Sequence, residues 1–190
     1  MDQDKRVRSG AVVVRDSAEA DMTAVARIYA HYVEHALATF EEIAPTREDM
    51  LARRRKALDC GAPYLVAERG GEVVGYCYAS PYHARPAYRH TLEDSVYVAS
   101  GLVGRGIGGA LLGALIARCE GGPWRSMLAI IGDSGNAASI ALHTRFGFAP
   151  VGVLRSVGYK LGRWVDTPIM QRQLGAGDST PPDDLRTGRI

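Results

Sequence analysis

One stretch constrains the fold more than any other. Thr91 to Ala99 is an apolar, β-branched run that reads as a strand, and Gly101 to Gly109 is a glycine-rich loop. The loop feeds an apolar helix that runs to about Cys119, and a second strand follows over Met127 to Ile131. Glycines at a helix start leave several backbone N–H groups unpaired and let a ligand approach closely. Together with the positive end of the helix dipole they make a site suited to phosphate. The alternative is a flexible loop that only turns the chain. Gly104-Arg105-Gly106-Ile107-Gly108-Gly109 also satisfies G-x-G-x-x-G, the dinucleotide fingerprint. The dinucleotide version follows its strand directly and opens its domain. Here about five residues intervene after Val98, and no lysine follows the glycines as in a P-loop.

Around this centre the hydrophobic spacing predicts further elements. Ala11 to Val14 is a short strand, and Asp21 to about Ala36 a helix for which Asp16, Ser17 and Asp21 offer N-caps. Glu48 to about Leu58 is a second helix, capped by Thr46. Tyr64 to Glu68 and Glu72 to Ser80 flank Gly70-Gly71, a hairpin signal that makes the pair antiparallel. Gly121-Gly122-Pro123 stops the helix after the loop. Asn136 to Phe146 is a helix ended by Gly147, and Val151 to Tyr159 and Trp164 to Leu174 are two closing strands turning at Gly162. Antiparallel strands at both ends and a β-α-β-α centre imply a mixed α/β sheet flanked by helices. At 190 residues the chain fits one domain. Residues 11–174 form it, residues 1–10 read as a flexible leader and residues 175–190 as a disordered tail.

Composition narrows the partners. A formal charge of +2 is too small to argue for nucleic acid or an anionic membrane. No apolar run approaches a membrane span, and Met1-Asp2-Gln3-Asp4-Lys5 lacks the basic and apolar regions of a signal peptide. Cys60, Cys77 and Cys119 form no disulfide framework, so a reducing cytoplasm is expected. His31-Tyr32-Val33-Glu34-His35 satisfies H-x-x-E-H, a zinc-peptidase pattern. No third ligand is identifiable, so helix surface and no metal is the expectation.

Val103-Gly104-Arg105-Gly106-Ile107-Gly108 resembles the acetyl-CoA pyrophosphate loop of the GCN5-related N-acetyltransferases (GNAT), although Val103 departs from the Gln/Arg of their pattern. Asn136-Ala137-Ala138-Ser139 and Phe146-Gly147-Phe148 resemble the same superfamily. The likeness covers residues 11–174 and is nearest to the phosphinothricin and methionine sulfoximine acetyltransferases. It is carried by Thr39-Phe40-Glu41, Tyr88 to Val98, Leu142-His143 and Gly158 to Trp164. It implies the GNAT fold, a mostly antiparallel twisted sheet in a single domain, with acetyl-CoA as co-substrate and a homodimer.

The resemblance also implies roles. An ammonium must lose a proton before it can attack a thioester, so a base is needed. Glu93 stands where the family has a glutamate base, with transfer direct to the amine. Solvated strand surface is the other reading, and alternation turns Asp94 to the opposite face. Val96, Tyr97 and Val98 would pair with the pantetheine arm, and a backbone N–H near Val98 would hold the oxyanion. Gly104, Arg105, Gly106, Ile107, Gly108 and Gly109 would bind the pyrophosphate, and Asn136 the pantetheine arm. His143 would protonate the departing thiolate or touch the substrate; a packed core histidine is the alternative. The basic loop His83 to His90 would clamp an anionic acceptor through His83, Arg85 and Tyr88, with Arg89 close by and Phe40 as a wall. Relatives of the phosphinothricin type carry lysine at the His83 position. Three other functions stay open: an acetyltransferase for another amine such as an amino acid or a protein N-terminus, a nicotinamide enzyme, and a CoA-binding sensor without catalysis.

Overall fold

The computed structural model describes residues 10–182. Seven strands form one sheet: β1 (Val12–Asp16), β2 (Tyr64–Arg69), β3 (Glu72–Pro81), β4 (Thr91–Val98), β5 (Ser126–Ile130), β6 (Ala149–Lys160) and β7 (Arg163–Gln173). Their spatial order is β1-β2-β3-β4-β5-β7-β6, and β4–β5 is the one parallel pair among them. Four α-helices accompany the sheet: α1 (Met22–His35), α2 (Arg47–Asp59), α3 (Ile107–Glu120) and α4 (Ala137–Arg145). This is the mixed, mostly antiparallel sheet expected, and not the doubly wound parallel sheet of dinucleotide folds.

The middle strands are apolar on both faces because each face is covered. In β2, Tyr64 and Val66 join Met22, Val25, Tyr29 and Met50 in the layer under α1 and α2. Leu65 and Ala67 point the other way, into the layer built on Leu111, Leu112 and Leu115 of α3. Each such leucine, fully buried, contributes about 1.5–3 kcal/mol. The Gly70-Gly71 turn joins the first hairpin with φ of 61° and 83°, the left-handed pair that a two-residue hairpin loop requires.

Two local readings change. None of the three candidate caps holds α1 by its side chain: a 3-10 turn, Glu19–Asp21, precedes the helix, and the Asp21 carboxylate accepts from Ala18 N at 2.7 Å and from Arg15 at 2.8 and 2.9 Å. Gly121 ends α3 in right-handed conformation, φ −80°. The glycine needed there is Gly122, where a Cβ would stand inside the Trp124 ring. Thr46 does cap α2, accepting from Asp49 N at 3.1 Å while Asp49 accepts from Thr46 N at 2.9 Å, an arrangement that contributes about 1 kcal/mol. Residues 175–182, the first part of the expected tail, make turns against Arg125, which donates to Thr180 Oγ1 and Pro181 O at 3.4 and 3.3 Å. Most of the expected leader and residues 183–190 lie outside the described residues.

Candidate active site

The site begins where β4 and β5 part. They pair in register from Thr91↔Ser126 to Asp94↔Ala129 and no further, although β4 runs on to Val98. Tyr82 N donates to Thr91 O and Ala99 N to Val74 O, so the odd-numbered residues of β4 bond to β3. Alternation then turns the main-chain groups of Val96 and Val98 toward the gap. The gap opens into a cavity of about 600 Å³ walled by Val96 to Val98, Gly104, Gly106, Gly108, Gly109, Asn136 and His143.

At the far end of the cavity the glycine loop turns into α3. Gly104 and Gly106 both have φ of 80°, and Gly106 is the N-cap. The first intrahelical bond runs from Ala110 N to Gly106 O at 3.0 Å, so the N–H groups of Ile107, Gly108 and Gly109 have no partner within the helix. These unpaired amides form a cradle at the helix start, the feature that makes such a loop suited to an anion. Ile107 contributes only its amide, for its side chain is 1% exposed in the core. Arg105 belongs to the loop but does not line the cavity. A cation that spacing did not reveal stands beside the loop: Arg145 of α4 lies over Gly109, where a Cβ would collide with its guanidinium, and it walls the cavity.

Asn136 caps α4 by accepting from Ser139 N at 3.2 Å, which leaves its amide N–H₂ for a ligand. His143 lies on the same helix, 5% exposed, edge-on to Phe148. Its Nδ1 is 2.8 Å from Ser139 O and its Nε2 is 3.1 Å from Asp94 Oδ2. Burial pushes its pKa down, and the Asp94 hydrogen bond and charge with the Ser139 carbonyl overcome that, leaving it raised.

Glu93 is on the other face of β4. It is half-buried, opposite Ser80 of β3, and has no hydrogen bond or ion pair among the described residues. Burial raises its pKa, and the neighbouring Asp94 charge adds to the rise. The same face carries a sheet of tyrosine rings, Tyr64, Tyr76, Tyr78 and Tyr97, in contact at 5.1 to 6.3 Å. The Tyr32 hydroxyl of α1 donates to Val98 O at 2.7 Å and accepts from Val98 N at 3.3 Å. Nothing in the spacing of α1 pointed to that contact, because it joins residues 66 apart.

The residues expected to bind an acceptor lie in two loops, one after β3 and one after α1. The loop after β3 holds Tyr82, His83 and Tyr88 in mutual ring contact at 4.0 to 5.6 Å, and Arg85 precedes a 3-10 turn, Pro86–Tyr88. Arg89 turns back onto Pro86 O at 3.1 Å. Phe40 sits in the loop between α1 and α2, 41% exposed. Two motif pieces far apart in sequence meet here. Gly158 lies under the Phe40 ring, and buried Lys160 donates to Ala36 O at 2.9 Å and Thr39 O at 2.8 Å. Glu41, which follows Phe40, is clamped by Arg53 at 2.7 and 2.9 Å. A Cβ at Gly158 would stand 2.8 to 2.9 Å from three Phe40 ring carbons. Gly158→Ala is therefore expected to displace Phe40, costing about 1–3 kcal/mol and raising KM for the amine severalfold while KM for acetyl-CoA holds. Paired KM values and a melting temperature check this.

Among the described residues no group of three or more His, Cys, Asp or Glu side chains is placed to hold a metal, and no helix is long and apolar enough to cross a membrane. His31 and His35 stack edge-on, 5.1 Å apart, on α1.

A parted parallel pair feeding a glycine loop at a helix start is the architecture of an acyl-CoA-dependent acyltransferase, and the chain belongs to the acetyltransferase (GNAT) family, whose model matches residues 25–148. Acetyl-CoA is its co-substrate, and the glycine loop, the β4 edge at Val96 and Asn136 fit that molecule. The chain is 57% identical over 171 residues to a phosphinothricin N-acetyltransferase of Alcaligenes faecalis, covering 90% of this chain and 85% of that one. It is 40% identical to an L-methionine sulfoximine/L-methionine sulfone acetyltransferase of Pseudomonas paraeruginosa, over 88% of this chain and 98% of the relative. Its fold superposes with a TM-score of 0.87 on a phosphinothricin acetyltransferase from Sinorhizobium meliloti in complex with acetyl-CoA, at 42% identity over 90% and 92% of the two chains.

Proposed function

We propose that this enzyme moves acetyl from acetyl-CoA to the α-amine of a small amino-acid analogue of the phosphinothricin or methionine sulfoximine type. The observation that carries the reading is the unpaired β4 edge: it opens on the glycine cradle on one side, and the same strand presents an uncompensated Glu93 on the other. Glu93 takes a proton from the bound ammonium, and the free amine attacks the thioester carbon. The β4 amide of Val96 holds the oxyanion, since that of Val98 donates to the Tyr32 hydroxyl, and the sulfur leaves with a proton from His143. His83, Arg85 and Tyr88 bind the acceptor's anionic group, and Phe40 walls it. Transfer is direct. Cys77 and Cys119 are buried with thiol pKa values pushed up, to about 12 for Cys119, which disfavours a thiolate nucleophile. The reaction is tested by CoA thiol release with a panel of amines. Release with phosphinothricin or methionine sulfoximine is expected, and release with peptides alone would remove the acceptor assignment.

The enzyme is proposed to work in the cytoplasm as a homodimer. Support for the dimer comes from the edge strand β6, which with the start of β7 exposes Val151, Val153, Leu154, Tyr159 and Trp164 at 45 to 65%. An edge this long and apolar is normally covered. Sedimentation is expected to show a dimer that Val153→Asp converts to monomer. A monomeric parent protein would overturn the assignment.

A further inference from the structure

The pair at the fork of β4 and β5 has a property that its two residues do not have singly. His143 Nδ1 lies 2.8 Å from a carbonyl oxygen, Ser139 O, and 3.3 Å from the Ser139 hydroxyl, and Nε2 faces a carboxylate oxygen, Asp94 Oδ2. The nearer partner of Nδ1 can only accept; with the Nδ1 hydrogen directed at it, one more proton lies between Nε2 and Oδ2. Asp94 is 6% exposed, walls the cavity, and its Oδ1 has no hydrogen-bond partner. It is also the last residue of β4 paired to β5. The glycine loop follows Val98, beyond the unpaired part of β4, so phosphates held there leave the thioester end of acetyl-CoA to run back along β4 toward the fork.

We propose that Asp94 is a positioning residue for the acyl transfer: it fixes the His143 ring and holds it as the imidazolium at the point where the sulfur departs. The proposal rests on the N-acetyltransferase reading. As the amine nitrogen bonds to the carbonyl carbon, the carbon–sulfur bond breaks with its electron pair on sulfur. The sulfur then takes the proton held between His143 Nε2 and Asp94 Oδ2. Of the two protons lost by the ammonium, Glu93 accepts the first before attack and water carries off the second. Solvent returns one to the pair. Asp94 keeps the counter-charge throughout. The other titratable groups facing the pair are Cys77 of β3 and Cys119 of α3, both neutral thiols; Glu93 adjoins Asp94 from the far face of β4.

The test combines a spectrum with a variant. In the parent protein at neutral pH, the ¹⁵N signals of His143 are expected to show two protonated ring nitrogens. A neutral ring, whichever nitrogen is bare, would overturn the proposal. Asp94→Asn supplies an N–H to Nε2 and so favours the neutral ring. It is expected to keep acetyl-CoA binding by calorimetry, lose roughly tenfold or more in kcat, hold KM for the amine within about twofold, and move the alkaline limb of kcat to lower pH. A variant with the parent's kcat and alkaline limb would contradict the assignment. If Asp94→Asn does not fold, the parent's spectrum decides. If the parent acetylates no amine, the activity reading fails while the spectrum still judges the pair.

Discussion

Glu93→Gln is expected to lower kcat by about 10²- to 10⁴-fold, the usual worth of a positioned general base, with both KM values nearly unchanged. Glutamine keeps the size and polarity of the side chain and removes only the basic oxygen. Among the described residues no cation is paired to half-buried Glu93 that the change would strand, so the fold is expected to tolerate it. The parent enzyme should also show the base in its pH dependence. Burial first, and the Asp94 charge second, raise the Glu93 pKa. The base works only when ionised. Activity should therefore fall as pH drops through that raised value, giving an acid limb in kcat/KM above the ordinary carboxylate range. The Gln variant should lose that limb. Full activity in Glu93→Gln, or an acid limb at an unperturbed carboxylate value, would remove Glu93 from the mechanism.

The second large effect belongs to the phosphate cradle. Gly106 is the N-cap of α3 at φ 80°, with open space around its missing Cβ. Asp and Asn both tolerate the left-handed region better than other side chains, so the pair Gly106→Asn and Gly106→Asp separates backbone strain from charge. Asn is expected to weaken acetyl-CoA binding only severalfold. Asp sets a carboxylate against a pyrophosphate in the same cradle and should raise Kd by a further factor of about 10 to 100, each tenfold being about 1.4 kcal/mol. The excess should shrink as salt is added. Calorimetric titration of both variants checks this, and equal affinities would mean that the phosphates lie elsewhere.

Much of this site could be read from local sequence, because its parts are local. The cradle needs glycines at a helix start, and Gly104 and Gly106 adopt the left-handed conformation such a loop demands. Asn136 at the start of its helix and Glu93 and Asp94 on opposite faces follow from local periodicity alone. The contacts that spacing did not reveal are those made between distant segments. Tyr32 on the Val98 backbone, Arg145 over Gly109 and Asp94 on His143 join residues 36 to 66 positions apart, and no periodicity encodes them. Phe40 shows the same limit. Its surroundings are set by Gly158 and Lys160 of the last hairpin, which its own neighbours in sequence do not reveal. The parting of β4 from β5 likewise depends on where pairing stops, which neither strand's composition states.

The most direct test of the account is acetyl transfer itself. Purified enzyme would be given acetyl-CoA with phosphinothricin, methionine sulfoximine, methionine sulfone, glutamate, polyamines and peptides, with thiol release followed and products weighed by mass spectrometry. The account expects rapid release with the first three, a product heavier by one acetyl group on the α-nitrogen, and loss of both in Glu93→Gln. Acetyl-CoA binding without release to any amine would contradict it and leave a protein that holds the co-substrate and transfers nothing.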